Sequence, residues 1–145
     1  MMRRDPVTRD VLSLIAGMST RFHSDYEQAA QAHELTGVQA RLLAVAADGP
    51  APMNQLASLL KCEPSNITGL VDRLAARGLV TREPNPADRR IKLITVTPAG
   101  ADVSAKIWSE LDFAAEPLGA LTAEERGTLR DLLRRINPAE AGSGR

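Results

Sequence analysis

Asn54-Gln55-Leu56-Ala57-Ser58-Leu59-Leu60-Lys61, Cys62-Glu63, then Pro64-Ser65-Asn66-Ile67-Thr68-Gly69-Leu70-Val71-Asp72-Arg73-Leu74, closed by Arg77-Gly78, is the stretch that decides the fold. The spacing predicts a short helix from about Met53 to Lys61 with Leu56, Leu59 and Leu60 inward. A tight turn follows at Cys62-Glu63. Pro64 suits the first position of the next helix, because its missing N–H would be unpaired there in any case. At about 100° per residue, Ile67, Leu70, Val71 and Leu74 share one side of that helix. Ser65, Asn66, Thr68, Gly69, Asp72 and Arg73 share the other. Helix, short turn and helix with such apolar spacing is a pair that packs closely. The exposed face is short and polar at its start, with a basic residue further along. Such a face can sink into a DNA major groove, where Asn pairs with adenine, Ser and Thr serve several bases, and Arg holds a phosphate or guanine. The plainer alternative is an amphipathic helix with a solvated polar side.

The segment after it is a β-hairpin with a long tip. Leu79–Glu83 and Ile91–Thr97 are rich in apolar and β-branched residues, and Pro84-Asn85-Pro86-Ala87-Asp88-Arg89-Arg90 lies between them. Its tip would project guanidinium groups, which suit the negative potential of a narrow minor groove. A carboxylate repels phosphate, so the expected role of Asp88 is internal, pairing with an arginine to hold the wing's shape. Further out, Val7, Val11, Leu14, Ile15, Met18, Phe22 and Tyr26 recur at steps of three and four, which predicts a first helix from about Pro6 to Gln31. A second helix opens at the Thr36/Gln39 capping box, buries Val38, Leu42 and Val45, and stops at Asp48-Gly49-Pro50. A fifth follows Thr97-Pro98 with Val103, Ile107 and Leu111 inward. The last begins at the Thr122/Glu125 capping box and buries Leu129, Leu132, Leu133 and Ile136. The fold class is therefore mainly α, a winged helix-turn-helix whose strand content is one hairpin.

The 145 residues suit one domain with a sizeable core, and 43% are hydrophobic but only 3% aromatic. No stretch approaches 18 apolar residues, so no membrane span is expected. The start, Met1-Met2-Arg3-Arg4-Asp5-Pro6, lacks the apolar region of a signal peptide. The single Cys62 rules out an internal disulfide, and a reducing cytoplasm is the expected home. Net charge is zero, but it is unevenly spread. Residues 1–60 carry 5 basic and 6 acidic side chains, 61–98 carry 7 and 4, and 99–145 carry 6 and 8. A basic middle between acidic flanks fits a chain that meets phosphate through one local surface.

The runs Asn54–Ala57, Pro64–Leu74 and Arg77-Gly78-Leu79-Val80, continued by Asp88-Arg89-Arg90 and Val96-Thr97-Pro98-Ala99-Gly100, resemble the MarR family of transcriptional regulators. The resemblance implies a homodimer whose N- and C-terminal helices interlock while two winged parts grip a palindromic operator in double-stranded DNA. It places Ser65, Asn66 and Thr68 at base-reading positions, Arg73 near the DNA backbone and Arg89 at the wing tip, flanked by Asp88 and Arg90. It divides the chain into a winged part at about 36–98, dimerisation helices at about 6–31 and 99–137, and a disordered tail at 138–145. The expected role is repression relieved by a small effector. Two positions depart from the family pattern. Gly69 stands where many members carry a longer, often basic side chain, and a mid-helix glycine costs about 1 kcal/mol relative to alanine. Pro52 stands where a hydroxyl cap is usual, which predicts a late start for the third helix.

Other residues carry lesser expectations. Cys62, just before the reading helix, suggests a thiol sensor or, more plainly, a small core plug. A resolving second cysteine is lacking. His23 and His33 lie ten residues apart and do not converge as zinc ligands would, so neither a metal site nor a cofactor is expected. Tyr26 and Trp108, with His23 nearby, are candidates to line a pocket, since members of the resembled family often bind aromatic or phenolic anions. Packing at a dimer interface is the alternative. No phosphate-cradling glycine loop, zinc helix or nucleophile elbow is present, so no enzyme reading arises. A winged helix that binds protein rather than DNA is the remaining alternative.

Overall fold

Asp5 starts the first helix: its carboxylate accepts the amides of Val7 at 3.4 Å and Thr8 at 3.1 Å, and Pro6 takes the first helical position. In the computed structural model, which describes residues 5–112 and 116–138, this helix is α1, Pro6–Gln31. Then come α2 (Gly37–Asp48), β1 (Ala51–Pro52), α3 (Met53–Leu60), α4 (Pro64–Ala76), β2 (Val80–Pro84), β3 (Lys92–Val96), α5 (Pro98–Ser109) and α6 (Ala123–Ile136). A single 3₁₀ turn at Leu118–Ala120 precedes α6. Both expected capping boxes form, Thr36 with Gln39 and Thr122 with Glu125. The tail expected at 138–145 lies outside the described residues except for Pro138. No helix among the described residues is long and apolar enough to cross a membrane.

The sheet has three strands, in the order β1-β3-β2, all antiparallel. The hairpin was expected and β1 was not. Ala51 pairs with Ile94 and Pro52 with Leu93. Two residues ending in proline carry no strand pattern, and proline is tolerated here because β1 is an edge strand. Pro52 also serves as the N-cap of α3 without a side-chain bond, so α3 begins at Met53 and not later.

The core lies under the sheet and around α2. Leu42, Leu43, Leu56, Ile67, Val71, Leu74, Val80, Ile94 and Ile107 are essentially inaccessible to solvent. Each such side chain stabilises the fold by roughly 1.5–3 kcal/mol. Val38 and Val45 pack at the edge of this core, while Leu43 takes a central place on α2 that the sequence pattern did not give it. Leu59, expected inward, is half exposed, because α3 turns Leu56, Ala57 and Leu60 to the core. The larger departures are at the ends of the chain. On α1 only Tyr26, Ala29 and Ala30 are buried; Val7, Val11, Leu14 and Ile15 face solvent. On α6 the expected burial of Leu129, Leu132, Leu133 and Ile136 does not occur within one chain, where all four are exposed. The apolar stripes are there, but a single copy has nothing to cover them.

Two glycines fix how the winged part joins α5. Gly78, at φ +70°, ends α4 in the left-handed conformation that glycine adopts without strain, and Leu79 N–H bonds back to Leu74 C=O at 3.0 Å. At Gly100 a Cβ would lie 2.0 Å from the Leu79 carbonyl oxygen, so only glycine fits. Thr97 completes the junction. Its hydroxyl donates to the Gly78 carbonyl at 2.6 Å and accepts from the Gly100 amide at 3.1 Å.

Candidate nucleic-acid interface

Helix α4 shows the division its spacing predicts. Ile67, Leu70, Val71 and Leu74 are buried; Ser65, Asn66, Thr68, Asp72 and Arg73 are exposed. Gly69 is half-buried, and a Cβ built on it would meet nothing within 4 Å. The side chains of Ser65, Asn66 and Arg73 make no hydrogen bond or ion pair among the described residues. The Thr68 hydroxyl donates to the Pro64 carbonyl at 3.3 Å, which leaves its oxygen able to accept. No side chain caps the helix start. Its electropositive N-terminus therefore stays open beside Ser65 and Asn66, a favourable setting for a phosphate.

Asp72 and Arg73, neighbours on the exposed face, part ways. Asp72 pairs with Arg82 of β2, which ties the middle of the helix to the base of the wing. At the helix end, the Arg77 guanidinium donates to the carbonyls of Glu34 at 2.9 Å and His33 at 3.0 Å. Neither contact was legible from spacing, since partners ten and forty-odd positions apart meet only through the tertiary fold.

The wing tip builds itself from its own polar groups. Asn85 N–H bonds to Ile91 C=O at 2.8 Å, and its side-chain oxygen accepts from Ala87 N–H at 3.0 Å. Asp88 accepts the backbone amide and Nε of Arg90, both at 3.1 Å, and Nη2 at 3.2 Å. These bonds hold the Asp88 carboxyl below the usual carboxylate range, the Arg90 side chain first and its amide second. The internal role expected of Asp88 is what the structure contains. It also takes Arg90 out of the free set. Among the described residues Arg89 makes no ion pair, and it stands exposed at the tip.

The residues expected to line an effector pocket meet in part. Tyr26 and Trp108 pack edge to face with ring centroids 6.0 Å apart. Phe22, which the sequence reading did not nominate, joins them at 5.8 Å and 6.3 Å. It lies one helical turn before Tyr26, so its place on the same face was legible. Burial pushes the Tyr26 phenol above its usual pKa, and Arg41 pulls it partly back. Trp108 is half exposed. His23 touches Phe22 edge-on at 6.0 Å, but its Nδ1 is engaged with the Ser19 carbonyl at 2.7 Å. A cavity of about 350 Å³ lies on another side of α1, between Arg21, Asp25, Asp112 and Glu116. None of His23, Tyr26 and Trp108 lines it.

Cys62 is half-buried against the core, with its thiol 3.4 Å from the Leu60 carbonyl. His33 pairs with Glu110 rather than with His23. Among the described residues no three His, Cys, Asp or Glu side chains are grouped to hold a metal.

Comparison with known proteins agrees with this geometry. The MarR family profile matches residues 33–91. The HTH-type transcriptional repressor NicR of Pseudomonas putida is 31% identical over 140 residues, 95% of this chain and 89% of its own length. The free crystal structure of MarR from E. coli superposes with a TM-score of 0.72 at 26% identity, covering 92% of this chain and 98% of that one. A mutant of the same protein, solved in complex with operator DNA, gives 0.67 at 26% identity, covering 89% and 94%. CouR from Rhodococcus jostii, solved with bound p-coumaroyl-CoA, gives 0.69 at 28% identity, covering 87% and 88%. With its helix-turn-helix, its wing and a near full-length match to a known repressor, the chain belongs to the MarR family of winged helix-turn-helix transcriptional regulators.

Proposed function

We propose that this chain is a homodimeric repressor that grips a palindromic operator in double-stranded DNA and releases it on binding a small aromatic or phenolic effector. The observation that carries the reading is the pairing of an exposed polar row on α4, in which Ser65 and Asn66 are unpartnered, with an unpartnered Arg89 on the wing. Ser65, Asn66 and Thr68 are assigned to base edges in the major groove, Arg73 to the backbone and Arg89 to the minor groove or its phosphates. Asp88 and Arg90 shape the tip. Residues 36–98 form the DNA-binding part; residues 6–31 and 99–137 carry the dimer. The exposed leucines of α6 and the N-terminal half of α1 support that division, since open stripes of this length favour association. The reading gives the chain no catalytic step and places it with the DNA it regulates, in the cytoplasm.

The effector is assigned to the aromatic cluster of Phe22, Tyr26 and Trp108, with His23 at its edge. The CouR complex supports the ligand class. Cys62 is assigned to packing, as its contact with the core supports.

Selection of bound genomic fragments with purified protein tests the reading. Enrichment of a few fragments sharing an inverted repeat is expected, and added aromatic carboxylates should release them. Uniform, salt-sensitive binding without sequence preference, or none at all, overturns it.

A further inference from the structure

Arg77 stands at the end of the helix assigned to read bases, yet it is committed inside the chain. Both terminal nitrogens of its guanidinium are spent on the carbonyls of His33 and Glu34. Those carbonyls belong to the corner between α1 and α2, where Glu34 holds a left-handed backbone at φ +57°. The same His33 reaches the other way through its side chain. Its Nε2 lies 2.9 Å from a carboxylate oxygen of Glu110, the residue that caps α5. One residue thus joins three parts: the end of the reading helix, the corner after the first dimer helix, and the end of the second. The planar fork of Arg suits two fixed carbonyls at once, which the single ammonium of Lys does not.

We propose that Arg77, His33 and Glu110 are positioning residues that set the angle of α4 against the dimer helices, and so the separation of the two reading helices over an operator. The inference rests on the operator-binding reading above. Neither Arg77 nor Glu110 contacts DNA in this account; they act through the pose of α4. The charged groups facing His33 are Glu110 from α5 and the Arg77 guanidinium from α4, with Glu34 beside it in the corner.

The test is a titration of native, Arg77→Ala, Arg77→Lys and Glu110→Gln protein. The probes are a selected operator fragment and an unrelated duplex, at several salt concentrations. Arg77→Ala should weaken operator binding about tenfold or more, a typical coupling between distant sites. Its affinity for the unrelated duplex and its salt slope should stay as in the native protein. Arg77→Lys should fall between the two. Glu110→Gln, which removes the charge from the contact with His33 at an exposed side chain, should weaken operator binding several-fold and leave binding to the unrelated duplex unchanged. If Arg77→Ala lowers the salt slope by about one per subunit, Arg77 is a phosphate ligand and the proposal is wrong. It is equally wrong if Glu110→Gln keeps the native operator affinity. Native protein that shows no preference for any duplex removes the operator reading itself, and the linkage with it. Native preference shared by all three variants removes the linkage alone.

Discussion

Asn66 and Arg89 are both exposed and unpartnered, and the proposed function sets them against different parts of a duplex. Asn66→Ala should cost about 1–3 kcal/mol on the best site and relax the preference at one base pair in each half-site. Arg89→Ala should weaken binding across many sequences and make log affinity less steep in log salt by about one per subunit. Titrations on matched and singly mismatched operators at several salt concentrations check both. A uniform loss for Asn66→Ala would put α4 in another register. Two glycines give a second pair of opposite outcomes. Gly100→Ala drives a methyl into the Leu79 carbonyl and should lower stability by at least about 1–3 kcal/mol in thermal unfolding. Gly69→Ala meets open space in mid-helix and should raise stability by about 1 kcal/mol. Nothing in the sequence told these glycines apart. Helical spacing shows that Gly69 lies on the polar face, but only the tertiary fold brings the Leu79 carbonyl against Gly100.

Elements with local causes were legible. The capping boxes at Thr36 and Thr122, Pro64 at a first helical position and the β-branched runs around the wing all act within a few residues, and the helices begin where these signals stand. Elements made by distant pairing were not. Strand β1 exists because Ala51 and Pro52 lie along β3, more than forty residues away. The wing tip shows both cases, since the internal role of Asp88 followed from its sign, while the loss of Arg90 to that role did not. Pairing lowers the carboxyl pKa of Asp88 in the folded chain, so its contribution is whole above the usual carboxylate range. It is lost as pH falls through the lowered value. The Arg90 amide should therefore exchange its hydrogen several-fold faster in Asp88→Ala than in native protein near pH 6. That difference should shrink only at pH below the usual carboxylate range of about 4. A pH-independent difference by NMR would mean that the charge on Asp88 does not hold the tip.

For the whole molecule, a single copy leaves its longest apolar stripes uncovered, and the sequence pattern marked them as buried without saying by what. Periodicity reports that a face is apolar; it does not report which chain covers it. Light scattering should give twice the chain mass at micromolar concentration. Leu132→Glu with Leu133→Glu should yield monomers or aggregates, because two carboxylates cannot enter an apolar seam unpaired. A folded double variant that remained dimeric would place the interface elsewhere. The close joint of Gly78, Thr97 and Gly100 matters at this scale too. It leaves no slack between the base of the wing and the start of α5, so the two turn as one lever. A strand of five residues reaches about 17 Å, so a turn of about 5° at the base sweeps the tip through about 1.5 Å. That sweep is enough to take a guanidinium out of hydrogen-bond range of a phosphate or base. On the role proposed for Arg89, a tilt of α5 too small to disturb the core would thereby be geared up at the wing tip into the difference between holding DNA and letting it go.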